Sequence, residues 1–480
     1  MNKRLGVVLA TVILLASGGW AWKIADHRRQ IVVANLPEAP DLTNTPKILQ
    51  EKLAVAQARA RAPLTASKGL VQIARLYHAN GFLSEAAQCY AGLEKIDPHE
   101  PRWLHLHASI LAGFGEIEPA AALWTEAVTL APKYLPARIR LGDCRLKANQ
   151  PDQAFAVYHD VLTQDPGNSY ALLGLARLDL EAKKWDEARG LLETVYNQTN
   201  HELGYDLIVS LYERLGLREQ AAEIRSSAKA SGAYRDVPDP WLDDLVDDCY
   251  DPFRLALSAG MAARTGAPET AIKRLQQAIE LSPQDVTLRF QLGGVYFAQQ
   301  NFGASREQFE TCTRIDPNFP DGWVQLSTLQ TQAGDVSGAA RTLSAGLANC
   351  PNSPGLHLMQ ARRLEAANQI GGAISEFRTS IRLRPNEPDA YVELANLYIK
   401  LGMESEGIAL MRQALEADPG EPTALGALTI YAISLKNEAE ATRCLTRANL
   451  QLRIPRQQIS AFAGLYQQTF GHNWIPGERN

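Results

Sequence analysis

The 480-residue sequence lacks the short motifs by which most catalytic and nucleotide-binding sites are recognised. It contains no GxxxxGK[ST] phosphate loop, no GxSxG nucleophile turn, no HExxH metal pair and no GxGxxG after a strand. It also lacks an excess of positive charge, because 48 Lys and Arg residues stand against 53 Asp and Glu residues. We therefore expect no enzymatic activity, no small-molecule substrate and no nucleic-acid partner.

Close pairs of metal ligands are also missing. His105 and His107 are two residues apart, so on a helix they face different sides. The cysteines form no CxxC or CxxCH pattern, and several fall on helix faces that should be buried, which favours small core residues over a disulfide framework. We expect no metal and no cofactor. The six cysteines are Cys89, Cys144, Cys249, Cys312, Cys350 and Cys444.

One long apolar run stands near the N-terminus, from Leu5 to Trp22. As a helix it would be roughly 27 Å long, which is just enough to cross the hydrocarbon of a bilayer of about 30 Å. Trp20 and Trp22 suit a membrane interface. Because no convincing cleavage site follows, we predict one uncleaved N-terminal transmembrane helix, with a cleaved signal peptide as the alternative.

The charges around this run do little to orient it, since Lys3 and Arg4 on one side face Lys23, Arg28 and Arg29 on the other. A very short N-terminal tail usually stays in the cytoplasm. We therefore expect a single-pass protein of a bacterial inner membrane, with its C-terminal part in the periplasm.

Prolines recur at a fixed interval along most of the chain. Successive members of two series are all 34 residues apart, and self-similarity at this period is typical of stacked helical hairpins. The series are Pro98, Pro132 and Pro166, then Pro283, Pro317, Pro351, Pro385 and Pro419.

The residues between these prolines resemble the tetratricopeptide repeat family. The places at which that family has W, L, G, Y, A, F and A hold, in the unit ending at Pro98, Leu70, Ile73, Ala74, Tyr77, Ala86, Tyr90 and Leu93. The unit ending at Pro419 offers Tyr391, Leu394, Ala395, Tyr398 and Ala414. Gly407 stands where alanine is usual, Asn200 replaces the fourth unit's proline, and the fifth and last units are degenerate.

The resemblance implies an all-α fold, a right-handed superhelical solenoid of about ten to eleven helical hairpins. The physics agrees, because Tyr391, Leu394, Ala395 and Tyr398 form one apolar stripe at i, i+3, i+4 and i+7, and each proline ends the second helix of its hairpin. A pentatricopeptide array, which would bind RNA, fits the period and consensus worse.

The period breaks in the middle, where 117 residues separate Pro166 from Pro283. Two weak units fill part of that gap, and an acidic stretch with seven aspartates around Trp241 fills the rest. The aspartates lack the spacing and the central glycine of an EF-hand. We expect an amphipathic segment that covers repeat surface or links two sub-arrays, and it would also suit a basic groove as a pseudo-ligand.

We infer this organisation: 1–30 signal anchor, 31–66 spacer, 67–229 first sub-array of about five repeats, 230–251 acidic insert, 252–453 second sub-array of about six repeats, and 454–480 capping helix and loose tail.

In this family partners usually bind the concave surface lined by the first helix of each hairpin. The resemblance places basic residues there in the first sub-array and more apolar residues in the second. The candidate groove residues are Lys68, Arg75, His78, Arg102, His105, Arg140, Lys147, Arg177, Phe253, Phe290, Phe297 and Asn396.

These features predict a scaffold or adaptor that is tethered to a membrane and binds protein or peptide partners in its groove. Because the first sub-array is basic there, we expect those partners to be acidic. The alternative is an obligate structural subunit or assembly factor of a membrane or envelope complex.

Overall fold

The computed structural model describes Trp20 and residues 22–198, 202–217, 220–221, 224, 236–451 and 454–475, and this described part is helical without a strand. Its residues fall into two compact units. Unit 1 holds those up to Ala221 together with 236–283, and unit 2 holds Ile224 and those from Gln284 onward. The finer domain boundaries inferred from the sequence stay predictions.

Unit 1 consists of antiparallel helical hairpins that follow one another along the chain. Its helices are α1 (22–34), α2 (Lys47–Arg61), α3 (Ala66–Ala79), α4 (Leu83–Ile96), α5 (Pro101–Gly113), α6 (Ile117–Leu130), α7 (Leu135–Lys147), α8 (Pro151–Gln164), α9 (Ser169–Glu181), α10 (Trp185–Gln198), α11 (Glu202–Arg214), α12 (Pro240–Asp243), α13 (Pro252–Arg264) and α14 (Pro268–Leu281). A 3-10 turn, Asp244–Asp248, follows α12.

Unit 2 repeats the same hairpin and ends in one additional helix. Its helices are α15 (Val286–Ala298), α16 (Phe302–Ile315), α17 (Pro320–Gln332), α18 (Val336–Asn349), α19 (Pro354–Ala366), α20 (Ile370–Leu383), α21 (Asp389–Lys400), α22 (Glu404–Ala417), α23 (Pro422–Ser434), α24 (Glu438–Leu450) and α25 (Arg456–Phe470).

The predicted apolar stripes form the cores of these hairpins. In the first hairpin Leu70, Ile73 and Tyr77 of α3 pack in one buried cluster with Tyr90 of α4. Each such side chain contributes about 1.5–3 kcal/mol when it leaves water, and no hairpin could bury its stripe alone. The prediction of tandem helical hairpins is confirmed for the described residues.

The periodic prolines stand where the sequence predicted helix ends. Helix α4 ends at Ile96 and Pro98 follows, and α22 ends at Ala417 and Pro419 follows. The turn inside each hairpin also has a fixed feature, one residue with positive φ. Glycine fills several of these turns, but L residues fill others at a cost in strain of about 1 kcal/mol, among them Gln300 with φ 59°.

Adjacent hairpins approach closely at small residues. Gly142 of α7 and Gly174 of α9 lie on either side of the ring of Tyr158, on α8. A Cβ atom at Gly174 would stand 2.3 Å from Tyr158 Cζ, so no larger residue fits without a shift. The hydroxyl of Tyr158 donates a hydrogen bond to Asp143 Oδ1 at 2.7 Å, which fixes the ring between the two glycines.

The predicted transmembrane segment, Leu5–Trp22, lies almost entirely in residues 1–19 and 21, outside the described residues. Within the described ranges, no helix combines the length and apolar character needed to cross a bilayer. The predicted spacer holds α2, whose Leu49, Leu53 and Ala56 are buried in the cluster of the first hairpin.

At the other end, α25 packs on the last hairpin, with Ile459, Phe462 and Tyr466 in one cluster with α23 and α24. The expectation of a loose tail was wrong for its described part. Trp474 is 9% exposed and belongs to that same cluster, because an indole near the chain end can still fill the gap beside a terminal helix. All six cysteines are free, and four of them are buried.

Candidate partner-binding groove

The insert Asp236–Asp251, here called the acidic segment, lies along the first helices of the hairpins in unit 1. Its contacts reach α9, α7, α5 and α3 in that order as the segment proceeds from Asp236 to Asp248. We call the surface that holds it the unit 1 groove, formed by Arg75, Asn80, Arg102, His105, Tyr134, Arg140 and Tyr170. Candidate residues from the first helices and the acidic segment are thus brought together within one unit.

Asp239 is the most deeply buried charge of the acidic segment, with 4% of its side chain exposed. One carboxylate oxygen lies 2.7 Å from His105 Nε2, and the other accepts a hydrogen bond from the Tyr134 hydroxyl at 2.5 Å. The Asp239 side chain also accepts from the Leu242 amide at 3.3 Å and so caps the short helix α12. These hydrogen bonds replace the ones to water that the carboxylate loses when it is buried.

The neighbours of His105 fix its tautomer. Its side chain is 0% exposed, and its Nδ1 accepts a hydrogen bond from Trp124 Nε1 at 3.0 Å. An indole nitrogen can only donate, so the imidazole proton must be on Nε2, where it points at Asp239. His105 therefore acts as a neutral hydrogen-bond donor that Trp124 holds in position.

The pKa of Asp239 reflects the balance of two effects. Burial raises this pKa, but the hydrogen bonds from His105 Nε2 and from the Tyr134 hydroxyl lower it more, so that the net direction is down. Burial and the Asp239 carboxylate both raise the pKa of Tyr134, which keeps its hydroxyl protonated and able to donate. The anchor is thus a carboxylate between neutral donors.

Trp241 occupies an aromatic slot beside this anchor. Its ring stacks on Tyr134 with centroids 3.6 Å apart and planes 9° from parallel, and it meets His105 edge-on at 5.5 Å. The guanidinium carbon of Arg102 lies 5.9 Å from the indole centroid, within cation–π range. The slot therefore binds an indole through ring stacking and through a cation–π contact. A small side chain could make neither contact.

The two ends of the acidic segment are held by ion pairs. Arg75 Nε lies 2.6 Å from Asp248 Oδ2, and Arg140 Nη2 lies 2.7 Å from Asp236 Oδ2. The four side chains are between 22% and 53% exposed, so water screens both pairs and each contributes of the order of 1 kcal/mol or less. These pairs orient the acidic segment more than they hold it.

Groove side chains also bind the main chain of the acidic segment. Arg75 Nη2 donates to the Asp244 carbonyl at 2.7 Å, and the Tyr170 hydroxyl donates to the Asp236 carbonyl at 2.9 Å. The Asn80 amide donates to the Asp248 carbonyl at 2.8 Å and accepts from the Tyr250 amide at 2.6 Å. Such contacts to the main chain do not depend on which side chains the bound segment carries.

Two apolar residues of the acidic segment enter the cores of the hairpins. Val237 is 8% exposed and joins the cluster of Ile139 and Leu175, whereas Leu245 is 4% exposed and joins the cluster of the first hairpin. The bound segment therefore has four kinds of anchor: one buried carboxylate, one indole, two aliphatic side chains and the main chain.

The four remaining basic candidates are not among the residues that form the unit 1 groove. His78 lies 3.2 Å from the Tyr90 hydroxyl through Nδ1, and burial lowers its pKa to about 4. Arg177 stands 3.7 Å from Asp143. Lys147 is exposed, and Lys68 lines a separate cavity with Trp20 and Leu64.

The apolar candidates do not form one surface. Phe253, in unit 1, is 76% exposed on α13. In unit 2, Phe290 packs on Phe309 and Phe319 as part of the hairpin core, and Phe297 packs on Phe302. Asn396 is half-buried on α21. The two unit 2 phenylalanines therefore serve packing within the hairpins.

Three groove residues were not among the sequence candidates: Asn80, Tyr134 and Tyr170. Asn80 caps the end of α3 and Tyr134 precedes the first residue of α7, so both stand outside the helix places that the family pattern assigns to binding. Tyr170 stands on a first helix, α9, but it carries no charge, and the candidates predicted in that sub-array were basic. The sequence signal for these residues was the insert itself, because its seven aspartates need hydrogen-bond donors wherever they leave water, and Asn and Tyr side chains are such donors.

In the described part of the chain, no group of three or more His, Cys, Asp or Glu side chains could hold a metal ion. The unit 1 groove offers hydrogen-bond donors, cations and aromatic faces, which are the groups of a binding surface.

Comparison with known families supports the resemblance drawn from the sequence. Tetratricopeptide repeat models match residues 145–211, 364–428 and 286–319, and a TPR repeat model matches 265–300. The chain carries tetratricopeptide repeats at these residues.

Two curated relatives are also repeat proteins. TPR repeat-containing protein YpiA of Bacillus subtilis (strain 168) is 23% identical over 312 residues, which is 64% of this chain and 70% of that protein. Tetratricopeptide repeat protein 33 of Xenopus laevis is 27% identical over 107 residues, and the match spans 42% of its length and 22% of this chain.

Among solved structures, yeast Tom70 aligns over 84% of this chain and 96% of its own, with a TM-score of 0.42 and 15% identity. YrrB, described as a TPR protein with an unusual peptide-binding site, aligns over 37% of this chain and 91% of its own, with a TM-score of 0.29 and 19% identity.

Proposed function

We propose that this tetratricopeptide-repeat chain is a non-enzymatic scaffold that binds protein partners through the first helices of its hairpins, and that unit 1 takes extended acidic segments. The observation that carries the proposal is the seating of the acidic segment across four hairpins in the unit 1 groove. A surface that fits one such segment has the chemistry to fit others. Helical repeats of this type typically serve as interaction scaffolds.

The charge of the groove supports an acidic partner. Arg75 and Arg140 pair with carboxylates at opposite ends of the groove, and Arg102 lies between them over an indole. Because both ion pairs are partly exposed, they steer an acidic chain toward the groove and set its direction more than they add affinity. Affinity comes from the buried anchors between them.

We further propose that the N-terminal apolar run tethers the repeats to a bacterial inner membrane, with the repeats in the periplasm. The support is the length of the run, Leu5–Trp22, and its interfacial tryptophans. Extraction of native membranes with alkaline carbonate checks the tether. The full chain should stay in the membrane pellet, and its release into the supernatant would contradict a spanning anchor.

An obligate structural subunit is the second candidate, and the exposed side chains of α13 favour it. Phe253 and Leu257 stand one helical turn apart and are 76% and 59% exposed. An apolar pair of this kind suits a permanent interface. Purification in mild detergent separates the two candidates: a scaffold should be stable and monodisperse alone, whereas a structural subunit should aggregate without its partner.

Site-specific photocrosslinking tests the scaffold function directly. A photoreactive residue replaces Arg177, which lies on α9, the first helix of its hairpin, and is 34% exposed. In a control it replaces the exposed Gln153 on α8, a second helix. In cells that naturally express the chain, the Arg177 position should give discrete crosslinked partners and the Gln153 position should not. Equal labelling at both positions, or none at either, would reject partner binding through this face.

A further inference from the structure

We infer that the unit 1 groove recognises partners with an Asp-Pro-Trp motif between two aliphatic residues, and that the acidic segment is an internal copy of that ligand which a partner must displace. This inference rests on the proposed function and specifies its ligand. In the acidic segment the motif consists of Val237, Asp239, Pro240, Trp241 and Leu245.

The motif prepares its own bound conformation. Asp239 caps α12 through the Leu242 amide, and Pro240 stands at the first helical position, where its fixed φ favours a helix start. The turn therefore forms from residues that are adjacent in sequence, and it places the carboxylate and the indole on the same side. A peptide that carries these residues would lose little conformational entropy on binding.

The groove discriminates at two places. At the carboxylate position, the donors from the buried His105 and the half-buried Tyr134 would lose their acceptor if the partner had an alanine there. At the indole position, the stack on Tyr134 and the Arg102 cation reward a large aromatic ring. Apart from the two aliphatic positions and the ion pairs at its ends, the groove binds main-chain carbonyls, which every peptide has.

The bonding pattern of the acidic segment is that of a ligand. Its described backbone-to-backbone hydrogen bonds are local, such as Asp243 to Asp239 and Cys249 to Val246. Every described bond from its main chain to the groove ends on a groove side chain. A competing peptide can therefore replace the acidic segment without the rupture of any helix or ladder.

Covalent attachment gives the acidic segment an advantage over a free peptide. A tethered ligand has an effective concentration of the order of millimolar, so a free peptide with an intrinsic dissociation constant of about 10 µM would bind the wild-type chain about 100-fold more weakly. A partner with several contact sites overcomes this deficit, whereas an isolated peptide does not. The groove is thereby protected from weak, non-specific acidic chains.

The test uses a fluorescent peptide with the sequence of residues 236–248 and the full chain in detergent. Anisotropy measures peptide binding to the wild-type chain, to the double variant Asp239→Ala, Trp241→Ala, and to Asp247→Ala. Asp247 is the control because its side chain is 74% exposed and its described ion pair, at 3.5 Å, is with Lys273 of α14, which is not a groove residue. Circular dichroism checks that each variant retains its helix content.

The double variant should bind the peptide at least 30-fold more tightly than the wild-type chain, and Asp247→Ala should bind it as weakly as the wild type. A peptide with alanine at both anchor positions should bind neither chain. Equal affinity of the wild-type chain and the double variant would overturn the inference. If the double variant unfolds, the single variant Trp241→Ala takes its place, with tighter peptide binding than the wild type required.

The outcome is separable from that of the scaffold function. Absence of peptide binding to a folded double variant, together with discrete crosslinks from the Arg177 position, would mean that the acidic segment is a permanent part of unit 1 and that partners bind beside it. Absence of both results would remove the scaffold function as well.

Discussion

Replacement of Asp239 by alanine is the most direct test of how the acidic segment is held. The change removes the shared acceptor of the His105 Nε2–H and the Tyr134 hydroxyl, which lie 2.7 Å and 2.5 Å from the carboxylate. It also removes the cap of α12. We expect the acidic segment to leave the groove, because its remaining polar contacts at the two ends are partly exposed.

The magnitude follows from the two orphaned donors. A buried donor without an acceptor costs about 1–3 kcal/mol, and a lost helix cap costs about 1 kcal/mol. If nothing relaxed, the loss would be about 3–7 kcal/mol. Release of the acidic segment lets water reach both donors, so we expect a measured loss near the lower limit, about 3 kcal/mol.

Urea denaturation gives the loss in free energy of unfolding, and hydrogen exchange shows where it occurs. Asp239→Ala should lower the free energy by about 3 kcal/mol and remove amide protection in 240–248, whereas Asp247→Ala should do neither. In a double-mutant cycle with Tyr134→Phe, the coupling energy should be about 1–2 kcal/mol. A loss under 1 kcal/mol without coupling would refute the view that the carboxylate anchors the acidic segment.

Three further predictions concern the repeats. Gly174→Ala should lower the free energy of unfolding, measured in urea, by about 1–3 kcal/mol, because its Cβ atom would meet the ring of Tyr158. Gly190→Ala is the control, since a Cβ atom there meets open space, and it should leave that free energy unchanged. Equal losses in the two variants would contradict the close approach at Gly174. Gln300 and Gly334 both have positive φ, which glycine adopts without strain. Gln300→Gly should therefore raise the melting temperature and Gly334→Ala should lower it, and shifts in the opposite directions would exclude turn strain. Burial lowers the pKa of His78 to about 4, below the ordinary 6.5, so the chain should lose up to about 3 kcal/mol as pH falls from 6.5 to 4. His78→Gln should flatten this slope in urea titrations at stepped pH, and an unchanged slope would assign it to other groups.

The fold was accessible from the sequence because its signals are local and repeated. Pro317 and its partners at intervals of 34 indicate where second helices end, and the stripe of Tyr391, Leu394 and Tyr398 indicates which face is buried. Each is a property of a few adjacent residues. Trp474 shows the limit of such reasoning, because whether an indole near the chain end packs depends on a gap between helices that only the assembled structure defines.

The candidate groove was accessible in part. Family places pointed to Arg75, Arg102 and His105, and the structure puts all three beside the acidic segment. The tautomer of His105 could not be inferred, since it depends on Trp124 of the following helix. The hydrogen bonds between Asn80 and the main chain of the acidic segment could not be inferred either, because they join residues about 170 positions apart.

The length of the acidic segment agrees with the spacing of the helices that it crosses. Its contacts run from α9 to α3, which is three steps between first helices, or about 24–30 Å at the usual distance of 8–10 Å between packed helices. From Asp236 to Asp239 the chain has no helix, and at the rise of an extended chain it covers roughly 10 Å. The nine residues of helix and 3-10 turn from Pro240 to Asp248 cover roughly 14–18 Å. A fully extended chain of the same length would pass the Arg75 end of the groove by more than one helix spacing. The helical turn that begins at Pro240 is therefore what lets the Asp248 carboxylate reach Arg75 while the Asp236 carbonyl stays bonded to Tyr170, and a partner that uses the same anchors has to form it too.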